Sequence, residues 1–327
     1  MKAIVAIKYG GPEVLQFREI EKPIPKPHEV LVKVFVASVT RADTMIRTGK
    51  PYIGRLIVGL TKPKHPVTGT GFAGVISQVG ENVTKFKVGD KVFGETTTGF
   101  GTHAGYVAVN EDGVIASKPD FLTFQEAATL ADGPLTSMNF LKNVAQLLPG
   151  QKILINGASG SLGTAAVQLA KQMGAEVTGV SSESNLDLVE SLGADHVIDY
   201  NKVDFTNLLA QYDIIYDTVG KSSFSKSKKA LKPGGAYISP VLKMGTMLQM
   251  LKTSMIGNKK AKFSATGILK ETQLRELLNE LLAIMAKSDF KTIIDREYPL
   301  EQTAEAHAYI SKGHKKGNVI VTVDHLN

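Results

Sequence analysis

The sequence predicts an α/β protein in which a doubly wound parallel sheet of the Rossmann type is joined to a β-rich domain. Three observations support this fold class. A glycine-rich turn at 157–163 separates an apolar strand pattern from an alanine-rich helix pattern, strand and helix patterns alternate after Gly150, and residues 1–120 carry mainly strand patterns.

The glycine-rich turn is the feature that points to a ligand. Gly157, Gly160 and Gly163 have the spacing GxxGxxG, and glycines at such a turn let the backbone approach a ligand and let a helix pack closely on a strand. The helix that follows offers free N–H groups and a positive dipole end to a phosphate. A strand before the turn and a helix after it favour dinucleotide binding over an ordinary strand–helix turn.

Before residue 120, strands are predicted where β-branched residues cluster between turn signals, at 3–7, 29–37, 74–79 and 106–109. Thr123 and Glu126 have the spacing of a capping box, which predicts a helix from Thr123. A second helix is predicted from Leu135 to Leu148, where Pro149 and Gly150 end it.

After Gly150 the alternation of strands and helices predicts a parallel sheet. The predicted strands lie at 153–156, 176–181, 196–198, 213–216, 236–238 and 261–265, and the predicted helices at 161–173, 185–192, 203–210, 222–231, 244–256 and 271–287. A last strand at 318–323 is expected to return to the β-rich domain, because one edge of that sheet would otherwise lack a partner. We therefore expect a β-rich domain at 1–122 with 268–327 and a Rossmann domain at 123–267.

Composition narrows the function classes. The chain has 327 residues, of which 43% are hydrophobic and 21% charged, as is typical of a globular protein with room for two cores. The absence of cysteine excludes disulfides, thiolate nucleophiles and cysteine-ligated metal centres. No apolar run approaches the roughly 18 residues that span a bilayer, and residues 1–17 resemble a strand and turn rather than a signal peptide, so we expect no membrane span and a cytoplasmic location.

The net charge of +7 comes partly from three lysine-rich segments, at 221–232, 252–262 and 312–316. A nucleic-acid surface of this kind usually interleaves aromatic residues for base stacking, and here only Phe224 is present. We therefore expect solvated helix faces and loops rather than a nucleic-acid partner.

Motifs spread over nearly the whole chain resemble those of one family. They are GGPEVL at 10–15, ASVTRAD at 37–43, GTGFAGVISQVGENVTKFKVGDKV at 69–92, NGASGSLG at 156–163, SLGADHVIDY at 191–200, YDTVG at 216–220, LKPGG at 231–235 and EAHAYISKGHKKGNVIV at 305–321. In these motifs the chain resembles the zinc-independent, zeta-crystallin-like quinone oxidoreductases of the medium-chain dehydrogenase/reductase superfamily. The resemblance implies that the β-rich domain is a GroES-like catalytic domain.

The same resemblance implies that no zinc is used. Zinc-dependent members of the superfamily have a Cys where this chain has Thr40, and a His-Glu pair where it has Thr70 and Gly71. Their third ligand falls near Asp132, and the seven histidines show no HxxxH or HExxH spacing. We therefore predict no metal site.

The resemblance also implies an NAD(P)H-dependent reductase that transfers hydride to a quinone or an α,β-unsaturated carbonyl, and a homodimer or homotetramer with a contact near 236–238. Thr40 and Tyr52 are the catalytic candidates, because Thr40 stands where many relatives have Asn and Tyr52 lies one residue from a family tyrosine near the nicotinamide. The acceptor pocket is expected in the variable segments 50–64 and 244–260. Arg47 and His65 are interpreted as surface or structural loop residues.

Cofactor contacts are implied for residues of six segments. They are Thr136, the diphosphate turn of Ser159, Gly160, Ser161 and Leu162, the strand-end residues Ser181 and Ser182, and Tyr200, Thr218 and Asn318. Ser181 and Ser182 replace the carboxylate that binds the 2′-hydroxyl of NADH, so NADPH is the expected cofactor, with NADH as the alternative. For each hydroxyl a helix cap or a strand-end hydrogen bond is the competing interpretation.

Two other functions stay open. One is a zinc-free alcohol or aldehyde oxidoreductase. The other is a non-catalytic dinucleotide-binding protein of the crystallin-like or RNA-associated kind, since Thr40, Met45 and Asn318 depart from the family pattern.

Overall fold

The structure, a computed structural model, describes residues 1–50 and 52–325. Position 51, in the expected acceptor segment 50–64, lies outside the described residues. The strands are β1 (Lys2–Ala6), β2 (Leu15–Glu19), β3 (Glu29–Val39), β4 (Gly71–Val79), β5 (Lys91–Glu95), β6 (Tyr106–Asn110), β7 (Val114–Ser117), β8 (Lys152–Asn156), β9 (Glu176–Ser181), β10 (His196–Asp199), β11 (Tyr212–Asp217), β12 (Leu231–Ser239), β13 (Lys260–Phe263), β14 (Ile294–Pro299) and β15 (Asn318–Thr322). The helices are α1 (Arg41–Thr48), α2 (Arg55–Val58), α3 (Phe124–Leu130), α4 (Gly133–Asn139), α5 (Ser161–Gln172), α6 (Leu186–Ser191), α7 (Phe224–Ser227), α8 (Met244–Met255), α9 (Glu271–Met285) and α10 (Thr303–Lys312).

The chain forms two compact units. The β-rich unit comprises Met1–Asp132, Gly267–Asn279 and Ile294–Asn327, and the nucleotide unit comprises Gly133–Thr266 and Glu280–Ile293. The division at 132/133 differs from the boundary expected at 122/123, because α3 packs on β3, β4 and β5 of the β-rich sheet. Within the described residues, no helix is long and apolar enough to cross a membrane.

The β-rich unit is organised around β3. Its larger sheet has the order β14-β15-β3-β4-β5-β7, with β6 also paired to β3, and β1 and β2 form a separate hairpin. The tail strand β15 pairs antiparallel with β3, with Val319 opposite Val39 and Val321 opposite Ala37. The prediction that the tail returns to this sheet is therefore confirmed, and β15 brings Val319 and Val321 into the same apolar core as β3.

The nucleotide unit contains a parallel six-stranded sheet of order β10-β9-β8-β11-β12-β13. This is the Rossmann order, in which the first strand along the chain, β8, lies at the centre, and the strand order switches from one side of β8 to the other after β10. The core on one side is built from Leu154, Ile215 and Tyr237 of three neighbouring strands. The predicted doubly wound sheet is confirmed, and its ligand-binding edge is where these strands end.

Two local predictions are wrong. The segment 203–210 is not a helix, because the Asp204 carboxylate accepts hydrogen bonds from Thr206 and holds only a short 3-10 turn at Phe205–Asn207. The helix expected at 222–231 is limited to α7, since Leu231 already belongs to β12. The strand at 236–238, expected with the segment after it to lie at a subunit contact, is an inner strand of the sheet, because β12 pairs with β11 on one side and with β13 on the other.

Candidate functional site: the nucleotide-binding edge and a buried polar cluster

The turn between β8 and α5 requires glycine at two of its three glycine positions. Gly157 has φ +82°, and a Cβ there would lie 2.7 Å from the Thr218 hydroxyl. A Cβ on Gly163 would lie 2.1 Å from the carbonyl oxygen of Gly157, so the helix could not lie this close to the strand. Gly160 differs, because a Cβ there would meet only the Gly157 carbonyl at 3.5 Å. The protein itself leaves space at Gly160.

The first turn of α5 has the character of an anion site. Gly160 is the N-cap of this helix of 12 residues, and no side chain caps it. An uncapped helix start directs backbone N–H groups and the positive dipole end toward whatever lies in front of it. The predicted diphosphate residues lie at this helix start, at the carboxyl end of the central strand: Ser159 and Gly160 precede α5, and Ser161 and Leu162 begin it.

A network of hydroxyl groups joins the ends of β8 and β9. Ser181 donates to Ser159 (Oγ to Oγ, 2.8 Å), and the Asn185 amide donates to Ser159 and to Ser182 at 3.3 and 3.1 Å. Ser159 and Ser181 are buried, whereas the loop that carries Ser182 and Glu183 is more open. The structure therefore brings together three predicted cofactor residues and adds Asn185, which sequence reasoning missed.

The positively charged side chain of Lys202 also lies near the end of β9. Lys202 Nζ is 2.5 Å from the Glu183 carboxylate, and both side chains are well exposed. The parallel register places Asp199 of β10 beside Ser181 of β9, which brings these two residues of distant sequence position together. Tyr200, another predicted cofactor residue, follows Asp199 directly and is 43% exposed. Sequence reasoning missed Lys202 although it follows Tyr200 by two positions.

Asp217 fixes the ends of three strands. It is fully buried at the end of β11, and its carboxylate accepts from the Asn156 amide at 2.9 Å and from the Tyr237 hydroxyl at 2.7 Å. The backbone N–H groups of Gly220 and Ser222 donate to the same carboxylate. Asp217 thus holds β8, β11 and β12 in register at the ligand-binding edge. The YDTVG motif contained this residue, but nothing in it marked the carboxylate as the shared acceptor.

Thr218 and Thr136 have different environments. The Thr218 hydroxyl donates to the Asn156 carbonyl at 2.8 Å, which is the strand-end hydrogen bond of the competing interpretation. Thr136 is half-buried on α4, and its neighbour Ser137 donates to the Leu162 carbonyl at 2.8 Å. That bond ties α4 to the first turn of α5 and so places Thr136 near the predicted diphosphate turn.

Replacing Asp217 with alanine is expected to lower the free energy of unfolding by about 3 kcal/mol or more, because each buried donor left without an acceptor costs about 1–3 kcal/mol. Chemical denaturation measures this loss. Asp187→Ala is the matched control, since its side chain is exposed on α6 and surface changes usually stay within about 0.5 kcal/mol. Equal midpoints for the two variants would show that Asp217 does not hold these strands.

In the β-rich unit, Thr40 begins α1 and forms a complete capping box. Its hydroxyl donates to the Asp43 carboxylate at 2.8 Å, its backbone N–H donates to the same oxygen at 2.7 Å, and the Asp43 N–H donates back to Thr40 Oγ1. Both side chains are buried. Because a hydroxyl has one proton and two lone pairs, Thr40 retains one lone pair for a further partner.

Tyr52, Arg47 and His65, which follow Thr40 in the sequence, differ in how far their side chains are buried. Tyr52 is 66% exposed, with the Arg55 guanidinium 4.9 Å from its ring centre. Arg47 is not a loop residue, because it lies on α1 with 2% exposure and donates to the Gly10 carbonyl at 2.6 Å. Arginine side chains are rarely buried so completely, and the loop position expected from this polar side chain is wrong. His65 is exposed, as expected for a surface residue.

Asn318 begins β15 and is buried, and Gly317 before it has φ +64°. Asn318 therefore belongs to the β-rich unit, whereas the other predicted cofactor residues belong to the nucleotide unit.

The residues at the superfamily's zinc position do not fit a zinc ion. Thr40 and Thr70 offer neutral hydroxyls instead of a thiolate and an imidazole, and the Thr40 hydroxyl is already bonded to Asp43. A side chain at Gly71 would meet Ser38 Oγ at 2.4 Å and the Ala128 carbonyl at 2.8 Å. Among residues 1–50 and 52–325, no three or more His, Asp or Glu side chains are grouped as a metal site requires.

Burial shifts the acidity of this region. Desolvation raises the pKa of Asp43 from 3.8 to about 6, against the hydrogen bonds from Thr40, which lower it. Desolvation, together with the nearby Asp43 charge, raises the pKa of the half-buried Asp132 to about 7. The pKa of the Glu95 carboxyl is raised in the same way by desolvation and by the charges of Asp132 and Asp43. Each of these three carboxyl groups therefore holds a proton more tightly than a carboxyl group in water does.

Because the folded state raises the pKa of Asp43, it binds that proton more tightly than the unfolded chain does. The stability that this proton contributes to the folded state is fully present below pH 3.8 and is lost as the pH rises through about 6. We expect the thermal midpoint to fall over this interval, and Asp43→Asn to reduce the slope. Asp112→Asn is the control, since Lys85 lowers the pKa of this exposed carboxyl and the sign is opposite. An unchanged slope in Asp43→Asn would contradict the shift.

Comparison with known proteins identifies relatives of both domains and of the full chain. Residues 26–120 match the family model of the alcohol dehydrogenase GroES-like domain, and residues 192–321 match the model described as zinc-binding dehydrogenase. The human quinone oxidoreductase is 33% identical over 328 residues, which cover 96% of this chain and 94% of that protein. The 2-methylene-furan-3-one reductase of Solanum lycopersicum is 30% identical, covering 98% of this chain and 79% of that protein.

Among solved structures, the quinone oxidoreductase of Escherichia coli complexed with NADPH superposes with a TM-score of 0.85 at 26% identity, covering 98% of this chain and 100% of that one. Both domain types and the full-length similarity agree with the two units described above. The chain belongs to the quinone oxidoreductase branch of the medium-chain dehydrogenase/reductase superfamily, a family of dinucleotide-binding oxidoreductases.

Proposed function

We propose that this protein is an NADPH-dependent, metal-independent reductase of quinones or α,β-unsaturated carbonyl compounds. The proposal is supported by two features that occur together in this chain. Helix α5 has an uncapped start behind a glycine turn, and the residues at the superfamily's zinc position cannot hold zinc. The names of the human and tomato relatives, a quinone oxidoreductase and an enone-type reductase, agree with this substrate class.

The chemistry explains why a quinone or enone suits such a site. Reduction of a simple ketone loses its main electrophile when no Lewis acid is present. A nicotinamide, when bound, would supply hydride, and a quinone or an alkene conjugated to a carbonyl would suit it as acceptor because the negative charge is spread onto an oxygen. Hydrogen-bond donors can stabilise that oxygen, and the protein's remaining tasks are orientation and exclusion of water.

Thr40 and Tyr52 are our candidates for contacts at the reacting end. With its proton donated to Asp43, Thr40 would act as an acceptor, for example from a ribose hydroxyl. Tyr52 keeps most of its surface exposed and carries a phenol that can donate to the acceptor's oxygen. Asn318 and Thr136 complete the proposed cofactor contacts, and we propose a homo-oligomer by resemblance to the family.

The preference for NADPH rests on the end of β9. Ser181 and Ser182 put no carboxylate at the ribose position, and Lys202 places a cation beside Glu183, whose charge would otherwise repel a 2′-phosphate. NADH is the alternative cofactor.

The proposed function is tested by following nicotinamide absorbance with an acceptor panel after exhaustive chelation. We expect NADPH oxidation with simple quinones or enones, at a rate that chelation does not change, and substoichiometric zinc in the purified protein. The same panel includes alcohols with NADP⁺ and aldehydes with NADPH.

Three outcomes would contradict the proposal. Zinc near one equivalent with chelator-sensitive turnover would show that zinc is required. Turnover confined to alcohols and aldehydes would favour a zinc-free alcohol oxidoreductase. Dinucleotide binding without turnover of any acceptor would favour a non-catalytic binding protein.

A further inference from the structure

Helix α8 is apolar on its outer face. Its inner face is formed by Thr246, Met250 and Thr253, and Thr253 accepts a hydrogen bond from the Ala261 N–H of β13 at 3.1 Å. On the opposite side, exposed apolar side chains recur every three or four residues. They are Met244 (76% exposed), Met247 (45%), Leu248 (65%), Leu251 (65%) and Met255 (78%), and Ile256 (71%) continues the row.

An apolar stripe of this length is unusual on a solvent-facing helix, because contiguous apolar surface normally marks an interaction site. The inner face already supplies the packing that holds α8 on the sheet, so the outer residues are not needed for the fold. We call the six residues named above the α8 stripe.

The surroundings of the α8 stripe are strongly basic. The nucleotide unit from Thr218 to Thr266 contains ten lysines and no Asp or Glu. Lys252 lies exposed on α8 itself, and α7, which packs against α8, is followed by the exposed Lys228 and Lys229. Lys243 and Lys259 flank α8, but their ammonium groups donate to backbone carbonyls of Gly220, Lys228 and Leu231. Apolar side chains and lysines are therefore presented by the same surface.

We propose that the α8 stripe and its lysines form a docking surface for a membrane that contains anionic lipids. An amphipathic helix with an apolar face and flanking lysines binds at the headgroup level, where the apolar face enters the acyl boundary and the lysines meet lipid phosphates. The proposal does not depend on the identity of the acceptor.

Charge argues against the other occupants. A second copy of this chain seated on the stripe would bring two lysine-rich surfaces with no carboxylate between Thr218 and Thr266 against each other. A nucleic acid would satisfy the lysines but not the methionines and leucines, which offer no base-stacking platform. An anionic bilayer satisfies both.

The test is cosedimentation of the full chain with vesicles. We expect binding to mixed phosphatidylcholine–phosphatidylglycerol vesicles, little binding to pure phosphatidylcholine, and weakening at high salt. Leu248→Ser with Leu251→Ser should reduce the partition constant at least about tenfold by removing apolar area. Replacing Lys228, Lys229 and Lys252 with Gln should reduce it roughly 100-fold through lost attraction.

Matched controls separate the surface from general effects. Leu209→Ser removes a leucine that is 71% exposed outside α7 and α8, and a triple Gln variant of Lys87, Lys312 and Lys316 removes three exposed lysines of the β-rich unit. Both should bind vesicles as the parent does. Thermal midpoints confirm that every variant is folded.

Several results would overturn the proposal. They are equal binding to neutral and anionic vesicles, equal losses in the control variants, and dissociation of an oligomer by the leucine substitutions, which would assign the stripe to contact between copies. Unchanged vesicle binding with a raised KM for a water-soluble quinone would assign the stripe to the acceptor pocket instead. Oligonucleotide binding that needs the lysines but not the leucines would assign the surface to nucleic acid.

Discussion

Gly163→Ala is expected to abolish dinucleotide binding and to destabilise the nucleotide unit, whereas Gly160→Ala should impair binding alone. A Cβ added at Gly163 would lie 2.1 Å from one backbone atom and 2.6 Å from another, the Gly157 carbonyl oxygen and Ala158 Cα. Backbone cannot move aside as a flexible side chain can, so α5 must shift from β8. Overpacking of this kind costs about 1–3 kcal/mol, and it displaces the helix start that would hold the diphosphate.

At Gly160 the same substitution meets only the Gly157 carbonyl at 3.5 Å. The fold should therefore tolerate it, with a change in unfolding free energy below about 1 kcal/mol. If a diphosphate approaches the backbone here, the added methyl group lies in its path, and the Kd for NADPH should rise at least about tenfold.

Calorimetric titration with NADPH and denaturation of each variant separate the two effects. Gly245→Ala on α8 is the matched control, since a Cβ there meets nothing within 4 Å and alanine favours a helix. Tight NADPH binding by Gly160→Ala would show that the diphosphate does not lie over this turn. A stable Gly163→Ala protein would show that α5 can retreat from β8.

What the sequence predicted well was local or forced by pairing. The three glycines lie within seven residues, and their spacing, together with the strand pattern before them and the helix pattern after them, indicates the turn. The tail strand was predicted because the edge of the β-rich sheet needed a partner, and β15 supplies it on β3. Both inferences depend on backbone requirements, which one sequence can display.

What it did not predict depends on contacts between distant residues. The sequence indicates Arg47 as a surface or structural loop residue, but the fold places it on α1 and buries it against the Gly10 carbonyl. Asp217 could be placed at a strand end, but its four donors come from three other segments. The helix expected at 203–210 is wrong for a local reason instead, because hydrogen bonds from Thr206 to the Asp204 carboxylate hold a short 3-10 turn there.

Lys202 is the missed residue with the largest functional consequence. No Lys or Arg occurs from 172 to 201, so the sequence alone left the 2′-phosphate without a cation from this region. The register between β9 and β10 places Lys202 at Glu183, which lies 19 residues earlier in the chain. A cation that neutralises Glu183 turns an unfavourable carboxylate into part of an ion pair.

We therefore expect Lys202→Ala to lower kcat/KM for NADPH by roughly 10- to 100-fold, because a charge-assisted hydrogen bond contributes about 1.5–3 kcal/mol and Glu183 would be left unpaired. The value for NADH should change by less than about threefold, since NADH carries no 2′-phosphate. Ser182→Asp should act in the same direction by adding a carboxylate where the ribose is expected.

Lys152→Ala is the matched control. Lys152 forms an exposed ion pair with Glu176 at 2.9 Å, of the same type as the Lys202–Glu183 pair, but it lies at the amino end of β8, away from the ligand-binding edge. Losing it should affect neither nucleotide selectively. Equal losses with NADPH and NADH in Lys202→Ala would place the ribose elsewhere, and a parent enzyme that uses NADH more efficiently than NADPH would refute the preference. A selective loss confined to Lys202→Ala and Ser182→Asp would locate the adenosine ribose at the ends of β9 and β10, because only a 2′-phosphate distinguishes the two nucleotides.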